Sequence, residues 1–449
     1  MTINKDSKYI KNTQERVFYG ASVVFILATI IMPPYFGIPV PGFDMTAVRI
    51  MIVFIMLMIL TDRDRLYDFI VSIKYNKFFL ATLPYLFVIS YTMVYRVDVK
   101  AFLNPFIDLY TLFMLMYVID KALGVDKTLD LIIGSYYLLA IQGIAEYING
   151  ESFFKYLRTL DGTLVGGNFV RSGQYRIMGP TAHSIAYGIL LTLGIPLLML
   201  DTKTKKMYMF KRPVLLLLMI TNIVFTGSRS AMAVLGVELI AVFVLSDKKD
   251  MKKTLVLGLL SVITLGTLIV GTSGTSVSNY FMLQITSVID ELFGTSYSLN
   301  YGATAITQQS SDYRDALWDI FKIKWLNPLI GIGRKRGFAS VINGVIVKSI
   351  DNYYVAEYIR YAYPGMYSYI FYSFYAMIKM LIRIFRFKDG YSKAFFIASA
   401  GYAISLLYVD SLGTLKYAYL IVAMFICHAK EDFVFDTRQK KSKYLRQAI

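Results

Sequence analysis

Apolar runs of roughly 16–20 residues recur along the whole chain, separated by short polar or basic breaks, and nothing else in the sequence constrains the fold as tightly. Each run is long enough to cross bilayer hydrocarbon as a helix, and none shows the period-two alternation of a barrel strand. The 56% hydrophobic share exceeds the roughly 45–50% of soluble proteins. The pattern predicts an all-α polytopic membrane protein, one integral membrane domain over 1–449, with about twelve transmembrane helices. They fall near 17–33, 46–61, 78–95, 103–119, 128–148, 183–200, 212–227, 229–246, 254–271, 355–382, 392–409 and 413–428.

The net charge of +17 is explained by topology. With the N-terminus inside, about thirty Lys and Arg fall in cytoplasmic segments and about seventeen elsewhere. The clearest clusters are Lys203/Lys205/Lys206/Lys211/Arg212, Lys248/Lys249/Lys252/Lys253 and Arg383/Arg386/Lys388. Both termini are therefore expected on the cytoplasmic side of the cell membrane, and no nucleic-acid partner is needed to account for the charge. Lys5, Lys8, Lys11 and Arg16 precede the first span without a small-residue cleavage site, so that span is expected to be retained. One cysteine and two histidines exclude a disulfide framework and a Cys-based zinc site, and neither metal nor cofactor is expected. Asp62 and Asp64 form a D-x-D pair, but on the cytoplasmic side. The chain shows no internal or inverted repeat, which weighs against a secondary transporter.

Two long outer loops remain, 149–182 and 272–354, the larger expected to contain short helices. The larger opens on a Ser/Thr/Gly-rich run, GTSGTSVSN, that reads as a flexible entry. Further on, Asp312 is a potential N-cap, and Arg314, Trp318, Phe321 and Trp325 share one helical stripe with Asp315, Asp319 and Lys322 on its flank. Asn327-Pro328 stops that helix. Gly331, Gly333 and Gly337 then interleave with Arg334, Lys335 and Arg336, a loop rich in cation and backbone N–H that suits phosphate. Asp351-Asn352 follows just before the next span. The first loop carries Arg158, Arg171, Arg176 and His183, the last three in and around RSGQYRIMGPTAH. In TGSRSA, Arg229 enters a helix N-terminus, a natural seat for an anion, although an arginine there also snorkels to lipid phosphates. Glu238 lies about two and a half turns deeper and is expected to be a paired structural group. Tyrosines crowd the span after Asp351, as an interfacial belt and core packing.

Taken together, YRIMGP before a span, TGSRSA at a tight turn, and YRDALWDIFKIKWLNPLIGIG followed by DNYYVAEYIRYAYPG resemble the O-antigen polymerase and O-antigen ligase superfamily over roughly 140–370. The resemblance implies a multispan glycosyltransferase that takes a glycan from an undecaprenyl-diphosphate lipid on the outer face of the cytoplasmic membrane. It places the family's arginines on Arg176, Arg229 and Arg314. Ligases of the family show His-Asn where this chain has Asp351-Asn352, which leans the reading towards a polymerase of capsule, exopolysaccharide or O-antigen repeat units. The alternatives are a ligase handing the glycan to another acceptor and a lipid-linked oligosaccharide flippase. The implied partners are lipid-linked donor and acceptor glycans and membrane lipids, with a flippase and a chain-length regulator beside them. A diphosphate leaving group needs positive charge, which arginines supply without metal. The attacking hydroxyl needs a base, for which Asp351 is the candidate, Asn352 orienting it or a substrate hydroxyl, and Asp44 and Asp315 in reserve. Asp351 also reads as a plain N-cap. Arg334, Arg336, His183 and Tyr354 complete the expected substrate contacts.

Overall fold

The structure is a computed structural model that describes residues 3–40, 43–160, 170–171, 174–246, 248–271, 274–302, 317–342, 345–347 and 350–435. Every apolar run read from the sequence coincides with a helix. In chain order the helices are α1 (Ile3–Ile31), α2 (Ala47–Leu60), α3 (Arg63–Lys74), α4 (Lys77–Arg96), α5 (Val99–Val118), α6 (Val125–Asn149), α7 (Ser184–Leu198), α8 (Pro213–Phe225), α9 (Arg229–Leu245), α10 (Lys248–Gly271), α11 (Ser276–Phe293), α12 (Tyr353–Phe387), α13 (Gly390–Ser405) and α14 (Leu415–His428). A π-helical turn, Ile119–Leu123, extends α5. Short antiparallel hairpins decorate the connections, among them Gly37–Val40 with Phe43–Thr46 and Ser340–Ile342 with Val345–Val347.

Among the described residues, four helices are long and apolar enough to cross a membrane: Thr13–Ile31, Lys77–Arg96, Val99–Leu123 and Val125–Asn149. The chain is thus a helical membrane protein, but α2, α7, α8, α9, α13 and α14 have 17 residues or fewer, short of the roughly 20 that a crossing needs. The centrally packed α7 shows why. At 15 residues it rises about 22 Å, short of the roughly 30 Å of bilayer hydrocarbon. All its residues but Ile185 are buried, so protein rather than lipid surrounds it.

Of the helices named above, α3 and α11 fall outside the apolar pattern. The segment Arg63–Lys74 forms α3, and Asp62, half of the D-x-D pair, is its N-cap, accepting from the Asp64 and Arg65 N–H groups. The Ser/Thr-rich run is not a loose entry either: Thr275 accepts from Ser278 N–H at 3.2 Å and caps α11. A short polar side chain before a helix satisfies an otherwise orphaned amide.

Connections on alternate sides of the bundle bond to one another and so define two ends. At one, Lys430 pairs with Asp120, Lys121 with Asp68, Arg383 with Glu431, and His428 with Asp389. At the other, Tyr35 O accepts from Thr159 and Leu160 N–H, Ile177 N–H donates to Phe225 O, and Tyr353 N–H donates to Leu406 O. This second end, which gathers the long loops, is called the loop end below. Helix α12 packs on α4, while α13 packs on α7 and α9 as well as on α12. The tyrosine-rich span turns largely inward. Tyr85 of α4 meets Tyr361 edge-on at 6.0 Å, and Tyr353, Tyr369 and Tyr372 extend the buried cluster, pairs that each add about 0.5–1.5 kcal/mol beyond area burial.

Candidate functional site

Two of the arginine motifs, some fifty residues apart in sequence, fold onto one turn at the loop end. The Ile177 N–H donates to Phe225 O at 3.2 Å, and Arg176 Nε donates to Thr226 O at 2.7 Å. The guanidinium thus rests on the carbonyl end of α8, the negative end of its dipole. Gly227 follows with φ +57°, and Ser228 then caps α9 by accepting from Ala231 N–H. Arg229, half-buried, is the first residue of that helix.

The loop carrying Arg176 is held from below by Glu146 of α6, a fully buried carboxylate that the sequence reading missed. It accepts from Met178 N–H at 2.7 Å, Gly179 N–H at 3.1 Å, Tyr175 Oη at 3.1 Å and Gln142 Nε2 at 3.0 Å. Four donors offset the cost of burying a charge. The available signal was a glutamate one turn from the end of an apolar span. His183 caps α7, its Nδ1 accepting from Ile185 N–H at 3.1 Å. Burial first, and the charge of Arg176 second, push its imidazole down to about 4. His183 is therefore a neutral cap at the foot of the arginine loop.

The glycine- and arginine-rich segment 328–335 does not form the open phosphate cradle that its sequence suggests. Most of its amides are already spent. Helix α12 breaks at Ala362 (φ 58°, ψ −167°), and Pro364 two residues on has no N–H for the carbonyl of Arg360. The loop supplies the missing partners: Ile332 N–H to Ile359 O at 2.9 Å and Gly333 N–H to Arg360 O at 3.0 Å, while Tyr363 N–H donates back to Pro328 O at 3.2 Å. Gly331 must be glycine, because a Cβ there would sit 2.1 Å from Arg360 O. The α4–α5 turn grips the same loop. Asp98 Oδ2 accepts from Arg334 N–H at 2.6 Å and Lys335 N–H at 2.7 Å, and Arg96 donates to Gly331 O at 2.6 Å and Ile330 O at 3.0 Å.

Arg334 points inward from this loop. Its Nε donates to Tyr361 Oη at 2.8 Å, and Nη2 lies 3.5 Å from Glu357, a fully buried carboxylate that also accepts from Tyr85 Oη at 2.7 Å. Arg360 pairs with Asp410 at 2.6 Å and approaches Glu357 at 3.5 Å. Arg336 is exposed at the tip.

At the start of α12 the cap is Asn352, not Asp351. Its Oδ1 accepts from Val355 N–H at 3.1 Å and its Nδ2 donates to Leu407 O at 3.1 Å. Asn352 is 2% exposed, so its amide serves the helix start. Asp351 stands half-buried one residue earlier. Tyr354, also half-buried, donates to Ala403 O at 3.0 Å. Asp44 is exposed in the first hairpin. Arg314, Asp312 and Asp315 lie outside the described residues.

The helix expected to run from Asp312 to Trp325 is, where described, α-helical at 317–318 and tightens into a 3-10 turn at Asp319–Lys322, with Asp319 and Lys322 paired at 2.5 Å. The element ends at Lys322, and Asn327 further on forms a turn by accepting from the Leu329 and Ile330 N–H groups. Glu238 is 1% exposed, yet neither carboxylate oxygen has a hydrogen-bond partner among the described residues, against the expectation of a paired group. It packs on Gly401, where a Cβ would come within 2.2 Å of Oε1. Among the described residues, no group of three or more His, Cys, Asp or Glu is placed to hold a metal ion.

No match was found among curated proteins. A family described as O-Antigen ligase matches residues 214–366, about a third of the chain. The matched stretch runs from α8 to just past the break in α12, and takes in Arg229, the docked loop and Asp351-Asn352. Residues 214–366 of this helical membrane protein thus match the O-antigen ligase family, in keeping with the O-antigen polymerase and ligase superfamily that the motifs resemble.

Proposed function

We propose that this protein is a membrane glycosyltransferase that polymerises undecaprenyl-diphosphate-linked oligosaccharide repeat units on the outer face of the cytoplasmic membrane, its termini inside. The observation that carries the reading is the folding of the Arg176 and Arg229 motifs onto one turn, the second of them inside the family match. Arg176, Arg229 and Arg314 hold the donor's diphosphate. A hydroxyl of the acceptor glycan attacks the donor's anomeric carbon and forms the new glycosidic bond as the bond to the diphosphate oxygen breaks. The arginines stabilise charge on the leaving oxygen, Asp351 takes the hydroxyl proton, and undecaprenyl diphosphate departs. Asn352, as cap, holds the start of α12 and with it the position of Asp351.

A second reading, transfer of a finished glycan to a different acceptor, is favoured by the description of the matched family. Both are tested on purified protein given lipid-linked repeat units as the sole substrate, without nucleotide sugar or added divalent metal. Longer lipid-linked glycans with release of undecaprenyl diphosphate support polymerisation. Release that requires a different acceptor supports the ligase, and a flippase gives neither product. Arg176→Ala, Arg229→Ala and Arg314→Ala are each expected to lower turnover about 10²–10³-fold. Lysine at these positions should rescue poorly because it lacks the bidentate fork. Wild-type turnover in all three alanine variants removes the diphosphate clamp.

A further inference from the structure

Asp108 sits in the middle of α5, where a carboxylate is costly. It shares one stripe with Ala101, Pro105 and Leu112, at i, i+4, i+7 and i+11, and those three neighbours are buried. Asp108 faces the same interior but stays only half-buried. It forms no hydrogen bond or ion pair with any described residue. A carboxylate that faces the core, stays partly accessible and meets no donor among the described residues is open to a donor from solvent or a ligand.

Its surroundings define what that is. Arg334, Arg49 and Glu357 all lie within electrostatic range of Asp108, and its charge is felt by Tyr402 and Tyr419. These groups come from the docked loop and from α2, α12, α13 and α14. Tyr361, which accepts from Arg334, donates to Ala101 O at 2.7 Å on the same stripe, two turns nearer the loop end. Neither arginine closes onto Asp108. Arg334 is engaged by Tyr361 and Glu357, and Arg49 donates to Asp44 O at 2.7 Å. Opposite charges that influence one another without pairing, beside a partly exposed carboxylate, suit a neutral ligand that donates to the carboxylate and accepts from the guanidinium. Vicinal hydroxyls do both.

We propose that Asp108, with Arg49 and Arg334, forms a seat for a sugar ring of the lipid-linked glycan, in a polar crevice reaching into the bundle from the loop end. Asp108 accepts from ring hydroxyls and the arginines donate to them. The proposal rests on the glycosyltransferase reading but concerns the glycan rather than the diphosphate.

The test is carboxyl modification of the full-length protein in detergent, using a water-soluble carbodiimide and an amine, with Asp108 followed by peptide mass mapping. The probes are lipid-linked repeat units extracted from cells deleted for this gene and, separately, undecaprenyl diphosphate. Asp108 should be modified in the free protein. Repeat units at about ten times their dissociation constant should lower that modification about tenfold, and undecaprenyl diphosphate should leave it unchanged. Absence of modification in the free protein, indifference to both probes, or equal protection by both overturns the seat. In parallel, Asp108→Asn should keep the melting temperature and raise KM for repeat units about 10–100-fold with a smaller change in kcat. An unchanged KM also overturns the proposal, and if the variant does not fold the wild-type protection experiment decides. Polymer is measured in the same wild-type samples. Protection without polymer leaves the seat standing and removes the polymerase reading, whereas polymer without protection does the reverse.

Discussion

Arg176 lies against Gly227 so closely that a Cβ on the glycine would come 3.1 Å from Nε and 3.3 Å from Cγ of the arginine. Gly227 also holds φ +57°, where an L-residue costs about 1–2 kcal/mol. Gly227→Ala therefore strains the backbone and pushes on the guanidinium that the turn positions. Gly150→Ala, at φ +72° with open space around it, carries the backbone cost alone. Both variants should lose a few degrees of melting temperature. Only Gly227→Ala should lose polymer out of proportion to its stability, and equal polymer yields from the two would show that the contact has no functional weight.

The cap on α7 makes stability depend on acidity. His183 accepts through Nδ1, which requires a neutral ring, and its pKa falls from the ordinary 6.5 to about 4 because of burial, then Arg176. The unfolded chain therefore binds a proton more readily than the folded one. Stability from this group is complete above about pH 6.5 and declines as pH falls from there towards 4. His183→Asn keeps a good cap without the titration. Melting curves in detergent from pH 7.5 to 4.5 should fall less steeply for the variant, and parallel curves would sink the assignment.

Capping and proton acceptance separate at the start of α12. Asn352→Ala removes the acceptor for Val355 N–H and should cost about 0.5–2 kcal/mol of stability. Asp351→Asn leaves that cap in place, so its melting temperature should match wild type while turnover drops. Wild-type polymerisation by Asp351→Asn would move the search for the base to Asp44 and Asp315.

Ala362 occupies a backbone region that is nearly exclusive to glycine and costs about 1–3 kcal/mol for other residues. Glycine relieves the strain and gives back about 0.5–1 kcal/mol through the unfolded chain's extra entropy. Ala362→Gly is expected to raise the melting temperature and Ala362→Val to lower it. If glycine lowers it, the break is not held in this conformation.

The bundle was legible because bilayer hydrocarbon imposes a length and polarity on every segment that crosses it, and each apolar run did become a helix. What escaped was whatever depends on a partner distant in sequence. The glycine loop looked like a phosphate cradle because its amides were visible and their acceptors, Ile359 O, Arg360 O and Asp98, were not. The tenth run was read as continuous over 355–382 despite Pro364, and nothing local said that it breaks there or that Pro328 to Gly333 would mend it. Glu146 and Asp108 were both visible as carboxylates in apolar runs. Only the fold shows that, among the described residues, one meets four donors and the other none. The Arg176 and Arg229 motifs were both read onto the outer side of the topology, but that they share one turn was not legible in the sequence.

Because the break in α12 is completed by amides from 332–333 and that loop is gripped by Arg96 and Asp98, three segments scattered over some 270 residues are a single unit of exchange. A loop grafted from a relative into this chain brings its own spacing of glycines but meets this chain's proline and this chain's turn. Gly331 tolerates no side chain against Arg360 O, so a graft shifted by one residue has nowhere to settle. Chimeras built to transfer glycan specificity should therefore carry residues 96–98, 328–335 and 357–364 together, whatever the identity of the intervening helices.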